Sequence, residues 1–185
     1  MVLTHDERHE LLTIAHDAIV GALTGTHHQQ LRSTGDNLQQ QSGAFVTIRS
    51  QGELRGCIGY IESERPLAET IAEVAVKAAT EDPRFPPMTF AEFASASIEI
   101  SILSPLKRVA GPDDIIVGTH GVVVVLGMRR GLLLPQVAIE HRFDSEAFLS
   151  AAMRKGGIPS SMSRLPEVEI YVFEAEVVQE TDDLH

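Results

Sequence analysis

Residues 55–57 put a guanidinium, a backbone without a side chain and the chain's single thiol side by side, as Arg55, Gly56 and Cys57. On a strand, alternate residues share a face, so Arg55 and Cys57 are expected to point one way while Leu54 and Ile58 point the other. A cationic neighbour favours a thiolate over a thiol. Interior glycines such as Gly56 and Gly59 mark a bulge or the close approach of another group. Two readings follow: an anion-binding or nucleophilic patch, or a buried thiol beside a glycine bulge, cysteine being among the most buried residue types. A second cation, Arg84, lies in Asp82-Pro83-Arg84-Phe85-Pro86-Pro87, where three prolines each fix φ. Such a loop either holds a charged side chain over a cleft at little entropic cost or is a structural loop locked by an Asp82–Arg84 pair.

Proton-transfer groups are sparser. His120 precedes Gly121 at the entry to an apolar run, a place for a general base or for a hydrogen-bonded structural histidine. Gln136, Glu140 and His141 follow the next apolar run, and Glu140 beside His141 offers a carboxylate–imidazole pair where the two side chains face each other. The catalytic candidates are therefore Cys57, His120 and Glu140; the ligand-binding candidates are Arg55, Gly56, Gly59, Arg84 and Gln136. His5 and His9 have the i, i+4 spacing of two ligands on a helix, and His27-His28 is a second pair, but neither has a third ligand at matching spacing, so no metal centre is expected. Arg129-Arg130 reads as a basic hairpin turn, either a phosphate contact or, as is usual for exposed turns, charged only for solvation. No dinucleotide fingerprint, phosphate-binding P-loop or nucleophile elbow occurs, and no cofactor is named by the sequence.

The elements that must position these residues are legible in outline. The chain has 185 residues, enough for one domain or two small lobes sharing a core, and contains no tryptophan, so the core must rest on Val, Ile, Leu and Ala. Thr4 and Glu7 have capping-box spacing ahead of an apolar stripe from Leu11 to Leu23, with Gly25 as the stop, giving a helix over 5–24. Residues 26–42 read as a polar loop. Strands 44–50 and 53–60 flank a Gln51-Gly52 turn. A helix with Pro66 in its first turn carries Leu67, Ile71, Val74, Ala75 and Ala78, Thr89 caps a short helix through Phe93, and 97–103 alternates as a strand.

The order then recurs. Residues 122–126 form a continuous apolar run expected to be buried on both faces, 127–131 a hairpin connection and 132–134 the return strand. Asp144 caps a helix through Lys155 that ends at Gly156-Gly157, and 168–178 is a last strand whose imperfect alternation at 171–173 fits either a bulge or burial of both faces. Hairpin, helix and strand thus occur twice. The expected fold is α+β: two lobes, 43–104 and 119–178, with mainly antiparallel sheets flanked by helices, a hairpin-helix-strand duplication, and the first helix covering the core.

The formal charge of −11 opposes non-specific binding to nucleic acid or an anionic membrane. A solitary cysteine excludes a disulfide within the chain and suits a reducing compartment. The polar first residues and the lack of a long apolar run point to a cytoplasmic protein with no membrane partner.

The segment LRGCIG (54–59) resembles the signature of the AMMECR-one domain family, whose prokaryotic members are called AmmeMemoRadiSam system protein A. DPRFPP (82–87), IEISILSP (98–105) and GLLLPQVAIE (131–140) match in the expected order, as do the helix with FL at 148–149 and the closing strand with EAEV at 174–177. The resemblance spans roughly residues 10–180. It implies no particular reaction; it implies a pathway shared with Memo-like and radical-SAM proteins. Met153 stands where members often carry a second cysteine, and Phe143 and Met162 stand near positions usually held by tryptophan. A mechanism needing a cysteine pair is therefore not open to this chain. The leading expectation is a small anionic ligand held in a cleft between the lobes, floored by the 54–59 strand. Arg55 and Arg84 would supply positive charge, and Cys57 would be a wall residue or a nucleophile served by His120 or Glu140. The rival is a non-catalytic interaction module acting with the pathway proteins.

Overall fold

The hairpin that carries the thiol forms where the sequence puts it. In the computed structural model, which describes residues 2–26 and 35–180, β1 (Ala44–Ser50) and β2 (Glu53–Tyr60) pair antiparallel around Gln51-Gly52. Both turn residues have positive φ, 53° and 84°, the combination that matches the twist of a two-residue hairpin. The chain folds as two compact units, Met1–Leu103 with Glu176–His185, and Ser104–Ala175.

In the first unit, α1 (His5–Thr24) is closed at its start by the expected capping box. The Thr4 hydroxyl accepts from the Glu7 N–H at 3.2 Å, and the Glu7 carboxylate accepts from the Thr4 N–H at 2.9 Å. Gly25, at φ 70°, ends it. Pro66 is the residue just before α2 (Leu67–Thr80) rather than inside its first turn. α3 (Phe90–Phe93) has a second capping box from Thr89 and Glu92, and β3 (Ala96–Leu103) follows. The strands lie in the order β2-β1-β3, with the end of β7 (Glu169–Gln179) beside β3. Val46, Ile48, Ile98 and Ile100 form one sheet face that packs, fully buried, on Leu11 and Ile19 of α1 and Ile71 and Val74 of α2. Of the expected polar loop, 27–34 and with it His27-His28 lie outside the described residues. The described part is not wholly polar in its role, since Leu38 is buried in this core.

The second unit contains β4 (Lys107–Val109), β5 (His120–Leu126), β6 (Arg129–Leu133), α4 (Pro135–Glu140), α5 (Ser145–Lys155) and the first part of β7. β5 pairs antiparallel with both β6 and β7, and β4 with β7. Val122, Val123 and Val124 are all fully buried, so β5 is covered on both faces as its apolar run requires. Val172 and Phe173 are both buried, so β7 is likewise covered on both faces there. The turn before β6 is Gly127-Met128, which puts Arg129 and Arg130 on the strand and not in the turn. α4 and β4 are elements the sequence pattern did not foresee. Asp144 caps α5 as expected, accepting from the Ala147 N–H at 2.8 Å.

Both units carry hairpin, helix and strand in that order, and both use the same packing device. A Cβ on Gly56 of β2 would lie 2.1 Å from the Ala78 carbonyl oxygen of α2; one on Gly131 of β6 would lie 2.0 Å from the Ala152 carbonyl oxygen of α5. In each, a glycine lets the helix backbone rest directly on the return strand of the hairpin. Each also pairs an aromatic ring with a glycine across two strands, Phe45 with Gly59 and Phe173 with Gly121.

Candidate functional site

The surroundings of Cys57 are set by an irregularity in β2. Gly56 pairs with Ile48 and Leu54 pairs with Arg49, so Arg55 has no partner in β1 and is an inserted, bulged residue. The insertion breaks the two-residue period. Arg49 and Thr47 share a face of β1, so Leu54, opposite Arg49, comes to the face of Cys57, opposite Thr47. The expectation that Leu54 points away from Cys57 therefore fails at the bulge.

Arg55 is directed by the 82–93 segment. Its Nε and Nη2 donate to the Glu92 carboxylate at 3.4 and 3.3 Å, Nη2 also donates to the Pro86 carbonyl at 3.0 Å, and its guanidinium lies 5.7 Å from the centre of the Phe85 ring. With 13% of its side chain exposed and a carboxylate on it, Arg55 is a brace between β2 and the loop. Glu92 is held below the usual carboxylate range, first by the Thr89 backbone N–H and hydroxyl of the capping box and then by Arg55.

Cys57 is held through its backbone. β2 is an edge strand, so residues alternately turn their N–H and C=O away from β1. At Cys57 both outward groups have partners: the N–H donates to the Asp82 carboxylate at 2.9 Å, and the carbonyl accepts from Arg84 Nη2 at 3.4 Å. Asp82 in turn accepts from Arg84 Nε at 2.9 Å, Nη2 at 2.6 Å and backbone N–H at 3.1 Å. The Asp82–Arg84 pair considered from the sequence is present, and its bonds to the Cys57 backbone close the strand edge there. Asp82 is buried, yet its carboxyl is held far below the ordinary range, first by the Arg84 hydrogen bonds and then by the Cys57 and Arg84 amides, against burial, which pulls the other way. Arg84 is raised by the same pairing.

The thiol itself is half-buried and accepts from the Thr47 hydroxyl at 3.3 Å. The register sets Thr47 between Cys57 on β2 and Glu99 on β3, and Gln179 of β7 donates to Glu99 at 2.9 Å. A polar row thus crosses four strands on the face away from α1 and α2. Of the two glycines proposed as ligand contacts, Gly56 is occupied by packing against Ala78 and Gly59 by the Phe45 ring. Ladder alternation turns the Gly56 amide toward β1 and leaves that of Gly59 on the outer edge.

The remaining candidates belong to the second unit. The His120 Nδ1 accepts from the Ile116 N–H at 3.0 Å and the His120 N–H donates to the Ile116 carbonyl at 2.8 Å, so the imidazole closes the loop before β5. Gln136 and Glu140 lie on α4, Glu140 exposed at its end. His141 stacks on Phe143, with ring centres 5.3 Å apart, and so has an aromatic neighbour of its own beside Glu140. Among the described residues no three His, Cys, Asp or Glu side chains group as metal ligands.

A family model described as AMMECR1 matches residues 12–178. The chain belongs to the AMMECR1 family. A protein of Methanothermobacter thermautotrophicus is 41% identical over 96% of each chain. Protein MK0488 of Methanopyrus kandleri is also 41% identical, over 97% of this chain and 91% of its own. The crystal structure of the uncharacterized protein PH0010 from Pyrococcus horikoshii matches with a TM-score of 0.86 at 34% identity, covering 92% of this chain and 90% of that one. Within this AMMECR1 domain, Met153 is fully buried, and Phe143 and Met162 pack against the same core, so the three departures noted in the sequence are all met by apolar packing. No helix among the described residues is long and apolar enough to cross a membrane.

Proposed function

We propose that this AMMECR1 protein binds a small anionic ligand on its first unit, at the edge of β2, with Arg84 as the ligand-facing cation and Cys57 as a wall residue. The observation that supports this is the state of the two guanidiniums. Arg55 is 13% exposed and braced, whereas Arg84 is 52% exposed and fixed on its inner side by a buried carboxylate. A cation held rigid and half in solvent is pre-organised to receive a ligand. Arg55 is on this reading a positioning residue. No chemistry is assigned to Cys57, whose hydrogen-bond partner is a donor and not a base, and none to His120 or Glu140.

Titration of acetate, benzoate and inorganic phosphate, followed by NMR of the full chain, tests the reading. Arg84→Ala is expected to weaken whichever anion binds by at least about tenfold, about 1.4 kcal/mol. Arg84→Lys, which keeps a charge for Asp82, serves as the folded control by its melting curve. If no anion binds in an Arg84-dependent way, the reading is wrong. Capture of Memo-like or radical-SAM pathway proteins that Arg84→Ala abolishes would then put the interaction module in its place.

A further inference from the structure

The ligand class can be narrowed from the bonds Arg84 already makes, an inference that rests on the anion-binding reading above. A guanidinium is flat and presents its five donors as two forks, one from Nε and Nη2 and one from Nη1 and Nη2. Asp82 fills the first fork, at 2.9 and 2.6 Å. The second is half used, because Nη2 also donates to the Cys57 carbonyl at 3.4 Å. What remains is Nη1, which takes part in none of these bonds, and the flat surface of the group. The cation already lies over one aromatic ring: the guanidinium carbon of Arg84 is 5.5 Å from the centre of Phe85, the ring that Arg55 also meets at 5.7 Å.

Arginine recognises phosphate and sulfate best through two parallel bonds from one fork. Here neither fork is open, and the Asp82 charge offsets much of the attraction for a dianion. A flat conjugated carboxylate needs neither: it lays its π face over the guanidinium plane, where its negative charge still faces the cation without an in-plane fork. The three prolines at 83, 86 and 87 hold the loop in advance, so stacking there orders little that is not already ordered.

We propose that the ligand of this site is a planar conjugated carboxylate, an aromatic or unsaturated acid, and not a phosphate or a saturated acid. Benzoate and cyclohexanecarboxylate separate planarity from charge, since both are monoanions of similar size and the saturated one is no less apolar. In NMR titrations of the full wild-type chain, benzoate is expected to bind at least about fivefold more tightly than cyclohexanecarboxylate, about 1 kcal/mol, and inorganic phosphate to give no saturable shifts at residues 82–87. In Arg84→Lys, whose ammonium keeps the charge but has no plane, the two carboxylates should become equal. Equal affinities on the wild type, or saturable phosphate binding, would overturn the planar preference while leaving the small-anion reading in place. Failure of all three probes to bind through Arg84 would defeat both together.

Discussion

Gly56→Ala is expected to destabilise the protein by about 3 kcal/mol, lowering the melting temperature by about 6–12 °C for a chain of this size. The added methyl would sit 2.1 Å from the Ala78 carbonyl oxygen, a backbone atom in α2 that cannot rotate aside. The helix must move off the strand by more than an ångström, and it carries Ile71, Val74 and Ala75 with it out of a core where all three are fully buried. Against this stands the usual gain from stiffening the unfolded chain, about 0.4–1 kcal/mol for Gly→Ala. The packing loss wins. Gly131→Ala should behave alike, meeting the Ala152 oxygen at 2.0 Å and the Gly156 nitrogen at 2.8 Å. Gly52→Ala is the comparison: its φ of 84° strains a side chain, but nothing lies within 4 Å, so a loss of about 1–2 kcal/mol is expected. Urea melts that ranked Gly52→Ala level with Gly56→Ala would show that helix and strand are not in forced contact.

The parts of this fold written in local chemistry were legible. Thr4 with Glu7, Thr89 with Glu92, and Asp144 each announce a helix start, because a cap is made by residues within one turn. The Gln51-Gly52 turn announces its hairpin for the same reason. The bulge at Arg55 is of another kind. Counting back from the turn with no insertion sets Thr47 opposite Gly56; the actual partner is Cys57. One inserted residue re-aims every later side chain, and nothing in the local run 53–60 fixes where it falls. The bulge lies where Arg55 meets Glu92 and Pro86, more than thirty residues ahead in the chain. For the same reason Thr47 and Glu99, which flank the thiol row, could not be picked from sequence: they meet it only through register. α4 was missed despite a usable signal, Pro135 at its first position, because six residues are too few to display a period.

Comparing the units separates residues that the frame requires from those it does not. Arg55-Gly56-Cys57-Ile58 and Arg130-Gly131-Leu132-Leu133 occupy matching places, each glycine under its helix. The second unit accomplishes the hairpin, the helix contact and a packed core with Leu132 where the first has Cys57. After the helix it continues with Gly156-Gly157 where the first has Asp82-Pro83-Arg84. The thiol, the buried carboxylate and the half-exposed guanidinium are therefore additions to a frame that stands without them. That asymmetry favours a ligand site on the first unit.

Asp82→Ala is expected to cost about 2–3 kcal/mol, and Asp82→Asn about 1–2 kcal/mol, because hydrogen bonds to a charged group contribute more than neutral ones. The loss comes from the Arg84 side-chain bonds, discounted because a guanidinium 52% exposed regains water when released, and from the Cys57 and Arg84 amides, which lose their acceptor. The two substitutions differ in pH dependence. Asp82 is held below its ordinary range in the folded chain, chiefly by Arg84. A depressed carboxyl stabilises fully above its unfolded value, about 3.9 for aspartate, and loses that contribution as pH falls from there toward the folded value. An asparagine does not titrate. The stability gap between wild type and Asp82→Asn should therefore be widest near neutrality and close progressively below about pH 4. A gap that stays constant from pH 7 to pH 3 would mean that the charge on Asp82 contributes nothing to the clamp. The strand edge at Cys57 would then be held by hydrogen-bond geometry alone.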